Sequence, residues 1–170
     1  LLLWIGDMTL FEAIAHSFTT MSTGGFGTDS RSMAAFSPYA QWVVILFMFL
    51  AGASFALHFR AIARPKDYLR NAEFRLYAGI IIVATAVAAI GTWSGAIVDI
   101  LRDSLFTITS LVTTTGYGTA DFGIWPASLQ IMVFGLFFVG GMAGSTGGSM
   151  KPYRLGVLYE ASKADLRKVI

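Results

Sequence analysis

Two runs of small residues, Ser22-Thr23-Gly24-Gly25-Phe26-Gly27-Thr28 and Thr113-Thr114-Thr115-Gly116-Tyr117-Gly118-Thr119, lie 91 positions apart and align without a gap. Neither run holds a carboxylate, an imidazole or a thiol, so the chemistry open to it belongs to backbone carbonyls and threonine hydroxyls. Glycine permits the dihedral angles that turn successive carbonyls toward one axis. Oxygens placed that way replace the water around a dehydrated cation, and potassium suits rings of such neutral dipoles. The candidate ligating residues are Thr23, Gly24, Gly25 and Phe26 in the first run and Thr114, Thr115, Gly116 and Tyr117 in the second, acting on a potassium ion through their main chain. No covalent cofactor is expected.

Each run follows a short helical pattern. Thr9 to Met21 carries Phe11, Ile14, Ala15 and Phe18 on one face, and Thr9 with Glu12 forms a capping box at its start. Leu105 to Val112 carries Leu105, Ile108 and Leu111 at helical spacing, with Asp103 or Ser104 available as a cap. Both helices are too short to cross a bilayer. A half-length helix, then small residues, then a full span is the pattern of a re-entrant pore loop, in which irregular backbone at membrane depth is enclosed by protein or lines water. The C-terminus of each short helix brings roughly half a negative charge to the loop, which favours a cation. Anion binding would need the glycines before the helices. Under the same offset Ser54 falls on Ser145 and Arg60 on Lys151, so the chain reads as an internal repeat of pore loop plus following helix.

These elements need a membrane. The chain is 55% apolar and 13% charged, about half the charged share of an ordinary soluble domain. It has no cysteine, which excludes a disulfide scaffold, a thiol nucleophile and a zinc-thiolate site, and its net charge of +2 is too small for a nucleic-acid partner. Three charge-free stretches, Tyr39 to Phe59, Leu76 to Val98 and Phe122 to Met150, each exceed the roughly 20 residues a spanning helix needs. The third carries Gly140, Gly141, Gly144, Gly147 and Gly148 and is expected to break near its inner end. Arg60, Arg64, Lys66, Arg70 and Arg75 follow the first stretch, and Lys151, Arg154, Lys163, Arg167 and Lys168 follow the third, which assigns both segments to the cytoplasm. Trp4, Trp42, Trp93 and Trp125 fall beside the opposite, outward connections. Leu1 to Leu3 read as the last turn of a helix that starts upstream, and the chain as a fragment. The fold class is therefore all-α integral membrane, built from repeated helix, re-entrant pore loop and helix units of a potassium-channel-like pore. Its expected divisions are a second-repeat loop and helix (1–59), a cytoplasmic linker (60–75), a third repeat with a broken helix (76–151) and a cytoplasmic tail (152–170).

The runs Thr23 to Phe26, Thr113 to Phe122 and Gly140-Gly141-Met142-Ala143-Gly144-Ser145-Thr146-Gly147-Gly148-Ser149-Met150-Lys151 closely resemble the Trk/Ktr/HKT superfamily of potassium transport proteins. The resemblance covers essentially the whole chain, as the second and third of four pore-loop repeats. It implies potassium uptake across the plasma membrane, filter glycines at Gly25 and Gly116, and an intramembrane gate loop of Gly140, Gly141, Ala143, Gly144, Ser145, Thr146, Gly147 and Gly148 that ends at Lys151. It also implies a homodimer, a cytoplasmic nucleotide-binding regulatory subunit, and the remaining repeats of the same polypeptide as partners. Close helix packing through Gly140-x-x-x-Gly144 is the competing reading of that run. A phosphate loop is not, because the Gly-Lys-Ser/Thr order is missing. The competing functions are a two-helix potassium channel subunit, against which the tandem repeat argues, and a membrane enzyme, for which no acid-base pair or metal cluster is present. His16 and His58 lack partners at ligand spacing and are assigned structural roles. Arg70 and Glu73 are a candidate surface pair, and Tyr159 to Ile170 is a candidate contact for the regulatory subunit or the start of the next connection.

Overall fold

The computed structural model describes residues 1–93 and 95–169, without the side chains of Leu155, Tyr159, Leu166, Lys168 and Val169. Ser94, Ile170 and the side-chain pattern expected of the tail thus lie outside the described residues. A short turn, α1 (Leu2–Ile5), precedes the first half-length helix, α2 (Leu10–Met21), whose start carries the expected capping box of Thr9 and Glu12. A 3-10 turn at Ser32–Ala35 then leads into α3 (Pro38–Ala51). Beyond it come α4 (Phe55–Ala63), the single turn α5 (Asp67–Arg70) and the long α6 (Ala72–Gly91). The second half repeats the order with α7 (Ile97–Val112), a 3-10 turn at Phe122–Ile124, α8 (Ala127–Leu136), a non-helical stretch, and α9 (Pro152–Val169).

Of the three stretches expected to span, only the second forms, among the described residues, one helix long and apolar enough to do so. It is also displaced: α6 starts at Ala72, where Asn71 Oδ1 accepts from the Phe74 amide, and ends at Gly91. Val98 belongs to α7 instead. That helix begins eight residues before the expected Leu105, so neither Asp103 nor Ser104 caps it; Ser104 is buried within it, and Asp99 and Asp103 flank Arg102 at 2.7 and 3.4 Å. Asp99 supplies the first-turn negative charge that the helix start favours.

The first stretch bends by 96° between α3 and α4. The reason lies at Gly52, where an added Cβ would run into the Tyr77 hydroxyl and stand 2.7 Å from Thr113 Cγ2, so another helix occupies the place a continuing side chain would need. A break at membrane depth must satisfy the carbonyls it frees. Here the Tyr77 hydroxyl donates to Phe49 O at 2.9 Å, His58 Nε2 to Leu50 O at 2.9 Å, Thr146 Oγ1 to Ala51 O at 3.2 Å and the Met142 amide to Gly52 O at 2.8 Å. Because a carbonyl only accepts, His58 carries its proton on Nε2, and its Nδ1 accepts from the Tyr68 hydroxyl. The structural role expected of His58 is this one.

The third stretch breaks as expected, although α8 already stops at Leu136 and the chain stays non-helical to Lys151. Gly140-x-x-x-Gly144 is therefore not a helix-packing face.

The core has two parts that share α7. Tyr77, Ile81, Ala84, Ala88, Ile108, Val112, Leu129, Val133 and Met142 pack α6, α7 and α8 together. Met33, Ala40, Val44 and Met48 of the first half pack with Phe106 and Tyr117 of the second. The face of α2 expected to be its apolar seam points away from this packing, with Phe11 and Phe18 over 70% exposed, while Ala13, His16 and Thr20 are buried. Small and polar residues make the inward contacts, as is common between membrane helices. Trp4, Trp42 and Trp93 are exposed, but Trp125 is buried in the core beside Leu129.

Candidate functional site: two loops and a non-helical run

Both loops leave their helices in the same way. Thr23 and Thr114 have φ of +52° and +59°, and Gly25 and Gly116 have φ of +67° and +87°. The residues before them, Ser22 and Thr113, are right-handed. Alternating signs of φ carry successive peptide planes round so that their carbonyls share a side. The amides face the other way. Those of Thr23, Gly24 and Gly25 donate back to Thr20 O, Thr19 O and Thr19 O at 3.1, 2.8 and 3.4 Å; those of Thr114, Thr115 and Gly116 donate to Leu111 O, Ser110 O and Ser110 O at 2.9, 2.9 and 3.4 Å. Every pair is related by the offset of 91. Among the described residues no hydrogen bond reaches the carbonyl oxygen of Thr23, Gly24, Gly25, Thr114, Thr115 or Gly116. A left-handed conformation costs a β-branched residue about 1–3 kcal/mol, so two threonines holding it at matching positions mark a constrained backbone.

The loops meet. A Cβ added to Gly25 would lie 1.9 Å from Thr115 O and 3.2 Å from the Gly116 carbonyl carbon. Tyr117 braces the junction: it is buried, its hydroxyl is 2.5 Å from Thr19 Oγ1 on α2, and Ser110 Oγ donates to its carbonyl at 2.7 Å. Phe26, which aligns with Tyr117, is 78% exposed, and its carbonyl takes a long hydrogen bond of 3.5 Å from the Tyr117 hydroxyl. His16 lies behind the first loop, fully buried, with Nδ1 donating to Glu12 O at 2.8 Å and its ring 5.9 Å from that of Tyr117.

Beyond the loops the register slips by two residues. Gln41 Nε2 donates to Met33 O and Phe36 O at 3.0 and 3.1 Å, and Gln130 Nε2 to Gly123 O and Trp125 O at 2.7 and 2.9 Å, so two glutamines 89 positions apart close equivalent 3-10 turns. The ungapped alignment misses them. The hydroxyl pair Thr19 and Ser110, by contrast, shares the offset of 91 and was readable as a repeat.

The non-helical run from Phe137 to Lys151 lies against the end of α2 and the second loop. Its ends are tied by Gly140 N to Met150 O at 2.8 Å and Met150 N to Phe138 O at 3.2 Å, with Val139 and Met150 forming an isolated bridge. Gly140 packs so closely on the Gly148 carbonyl that a Cβ would stand 2.0 Å from it. The Gly148 amide donates to Thr114 Oγ1 at 2.6 Å, and Thr146 Oγ1 donates to Met21 O, at the end of α2, at 3.0 Å. The Phe55 amide donates to Gly144 O at 3.0 Å, so the run is bonded to the break between α3 and α4 in both directions. Gly141 and Gly147 are buried, Ser145 Oγ donates to Met142 O at 2.7 Å, and Lys151 Nζ donates to Gly147 O. Burial pushes the Lys151 ammonium below its usual pKa; Glu73 opposes the shift and Arg154 adds to it.

The acidic residues outside the loops have local work. The Asp29 carboxylate takes hydrogen bonds from the Arg31 side chain and amide, which hold it below the usual carboxylate range, and Asp121 accepts from the Gly123 amide at 2.8 Å. Glu73 is not paired with Arg70; its Oε1 accepts from the Ala143 amide at 2.8 Å.

Paired re-entrant loops with converging unpaired carbonyls, set among membrane-type helices, define an integral-membrane cation-transport fold. A family model described as a cation transport protein, TrkH, matches residues 4–76 and 94–170. The Trk system potassium uptake protein TrkH of Salmonella typhimurium is 32% identical over all of this chain, and that of Vibrio parahaemolyticus is 34% identical over 98% of it. The crystal structure of the potassium transporter TrkH from Vibrio parahaemolyticus superposes with a TM-score of 0.90 at 34% identity, covering 98% of this chain. The chain spans little more than a third of these relatives, 37% of the Salmonella protein and 37% of the crystallised chain. It belongs to the TrkH family of cation transport proteins.

Proposed function

We propose that this chain supplies two of the filter loops, and the gate, of a pore that takes up potassium across the plasma membrane. The observation that carries this reading is the meeting of two loops in which, among the described residues, the carbonyl oxygens of Thr23, Gly24, Gly25, Thr114, Thr115 and Gly116 have no protein donor while the amides of the same six residues are all engaged. Such oxygens suit dehydrated potassium, and the C-termini of α2 and α7 add negative potential at the same point. The ligating residues are Thr23, Gly24, Gly25, Phe26, Thr114, Thr115, Gly116 and Tyr117, acting through backbone carbonyls on the transported ion. The run Gly140 to Gly148, ending at Lys151, is the gate: it lies against the end of α2 and the second loop and is held by backbone and side-chain hydrogen bonds together. The chain conducts as part of a larger assembly, with further repeats of the same polypeptide closing the filter, a second copy forming a homodimer, and a cytoplasmic nucleotide-binding subunit regulating it. Its parts are the second repeat (1–59), the linker (60–75), the third repeat (76–151) and the tail (152–170), with linker and tail in the cytoplasm, where their basic residues favour them. The chain works as a pore and not as an enzyme.

The test is potassium and sodium flux into liposomes holding the complete polypeptide, before and after Gly116→Ser. Loss of discrimination is expected, and unaltered discrimination removes Gly116 from the filter. Shortening Gly140 to Gly148 is expected to raise flux; an inert deletion refutes the gate.

A further inference from the structure

Most bonds that hold the run Gly140 to Gly148 are neutral and come from the first half of the chain or the second loop. Among the described residues only two charged side chains bond to its backbone, and both do so from the basic, α9 side. Glu73 Oε1, at the start of α6, accepts from the Ala143 amide at 2.8 Å, and Lys151, just before α9, donates from Nζ to Gly147 O. Opposite charges thus hold opposite halves of the run. The glutamate also acts on Lys151 through space, opposing the lowering of its pKa by burial. Hydrogen bonds with an ionised partner are shorter and roughly twice as strong as neutral ones. The repeat offers no counterpart, since the break at Gly52 is held by Tyr77, His58 and the run itself and not by a carboxylate.

The neighbourhood couples this clasp to the end of the chain. Glu73 and Leu76 line one wall of a groove whose other wall is Tyr153, Gly156 and Val157 of α9, and α9 follows Lys151 directly. A displacement of α9 away from α6 therefore pulls Lys151 from Gly147.

We infer that Glu73 is a positioning residue for the gate: its carboxylate, with Lys151, latches the run Gly140 to Gly148 shut, and movement of α9 releases it. The inference rests on the reading of that run as a gate.

The experiment uses the complete polypeptide in liposomes and measures potassium flux, the potassium-to-sodium ratio and thermal stability. Four proteins are compared: wild type, Glu73→Ala, a loop-shortened variant lacking part of Gly140 to Gly148, and the combination. The latch requires Glu73→Ala to raise flux about tenfold, the scale of losing a charged hydrogen bond at a partly exposed site. The potassium-to-sodium ratio stays at the wild-type value, the melt remains a single cooperative transition, and the substitution adds nothing once the loop is shortened. Wild-type or lower flux for folded Glu73→Ala overturns the latch, as does an effect that adds fully to that of the shortened loop. If shortening raises flux and Glu73→Ala does not, the latch fails and the gate stands; if shortening is inert, both fail. Should Glu73→Ala not fold, Glu73→Gln carries the same test: its neutral acceptor predicts an increase of about threefold, and unchanged flux overturns the latch.

Discussion

Replacing Gly25 by alanine isolates the contact on which the filter geometry depends. Two costs arise. At φ +67° an L side chain carries a left-handed strain of about 1–2 kcal/mol. The larger cost is steric, because the new Cβ would stand 1.9 Å from Thr115 O, an oxygen of the opposite loop. Restoring an ordinary contact of about 3.5 Å separates the loops by roughly 1.5 Å. The obstacle is backbone, so no side-chain rotation relieves it. Where geometry sets a barrier, a misplacement on the order of 1 Å is worth roughly a hundredfold, and a carbonyl ring widened that far no longer replaces the hydration of potassium better than that of sodium. We expect Gly25→Ala in the complete polypeptide to lower potassium flux roughly a hundredfold, with loss of potassium-over-sodium preference. Flux of both ions into liposomes measures it, and gel filtration in detergent establishes that the protein is folded. Gly24→Ala is the companion: its Cβ meets nothing closer than Ser22 Oγ at 3.2 Å and its φ is not positive, so it should perturb far less. The reasoning is refuted if folded Gly25→Ala keeps flux and preference within a factor of about two of wild type.

Three further outcomes are expected. Thr114→Val removes the acceptor of the Gly148 amide while keeping the side-chain shape, and losing a hydrogen bond of about 0.5–1.5 kcal/mol should loosen the gate run and raise flux by roughly two- to tenfold. Tyr117→Phe keeps the ring in the core but loses the hydroxyl contacts to Thr19 and Thr20; thermal unfolding in detergent should show a loss of about 1 kcal/mol, with weakened ion preference in the flux assay. Asp7 responds to pH: burial alone would raise its pKa, but hydrogen bonds from Ser37 Oγ at 2.7 Å and the Ser37 amide at 2.7 Å bring it below the ordinary value. A depressed carboxylate stabilises the fold fully above its unfolded pKa of about 3.9, and that contribution disappears as pH falls through the folded value. Melting temperature should therefore drop across this acid window in wild type and less in Asp7→Asn.

Much of the site was legible in sequence because local chemistry controls it. The capping box of Thr9 and Glu12, the two small-residue loops and the glycine-rich break all follow from short-range rules of helix starting, turning and stopping, and the repeat offset carried those rules from one half to the other. Periodicity was a poorer guide to burial. It assigned Phe11 and Phe18 to a packed face, yet both are exposed within this chain, because periodicity marks an apolar face without saying which element covers it. Hydropathy also joined α3 to α4 across a 96° bend, since a charge-free stretch reports its length and not whether another helix stands in its way.

The sequence by itself determined the membrane setting, the tandem loops and the main-chain character of the candidate ion site, because composition, residue spacing and glycine content act within a few turns of chain. Tertiary structure alone decided which oxygens meet, that Tyr117 braces Thr19 from 98 positions away, that Thr146 and Met142 satisfy the carbonyls freed at Gly52, and that Glu73 bonds Ala143 rather than Arg70. Each of these joins groups far apart in sequence, and a hydrogen bond carries no sequence signature when its partner is a backbone atom that every residue possesses.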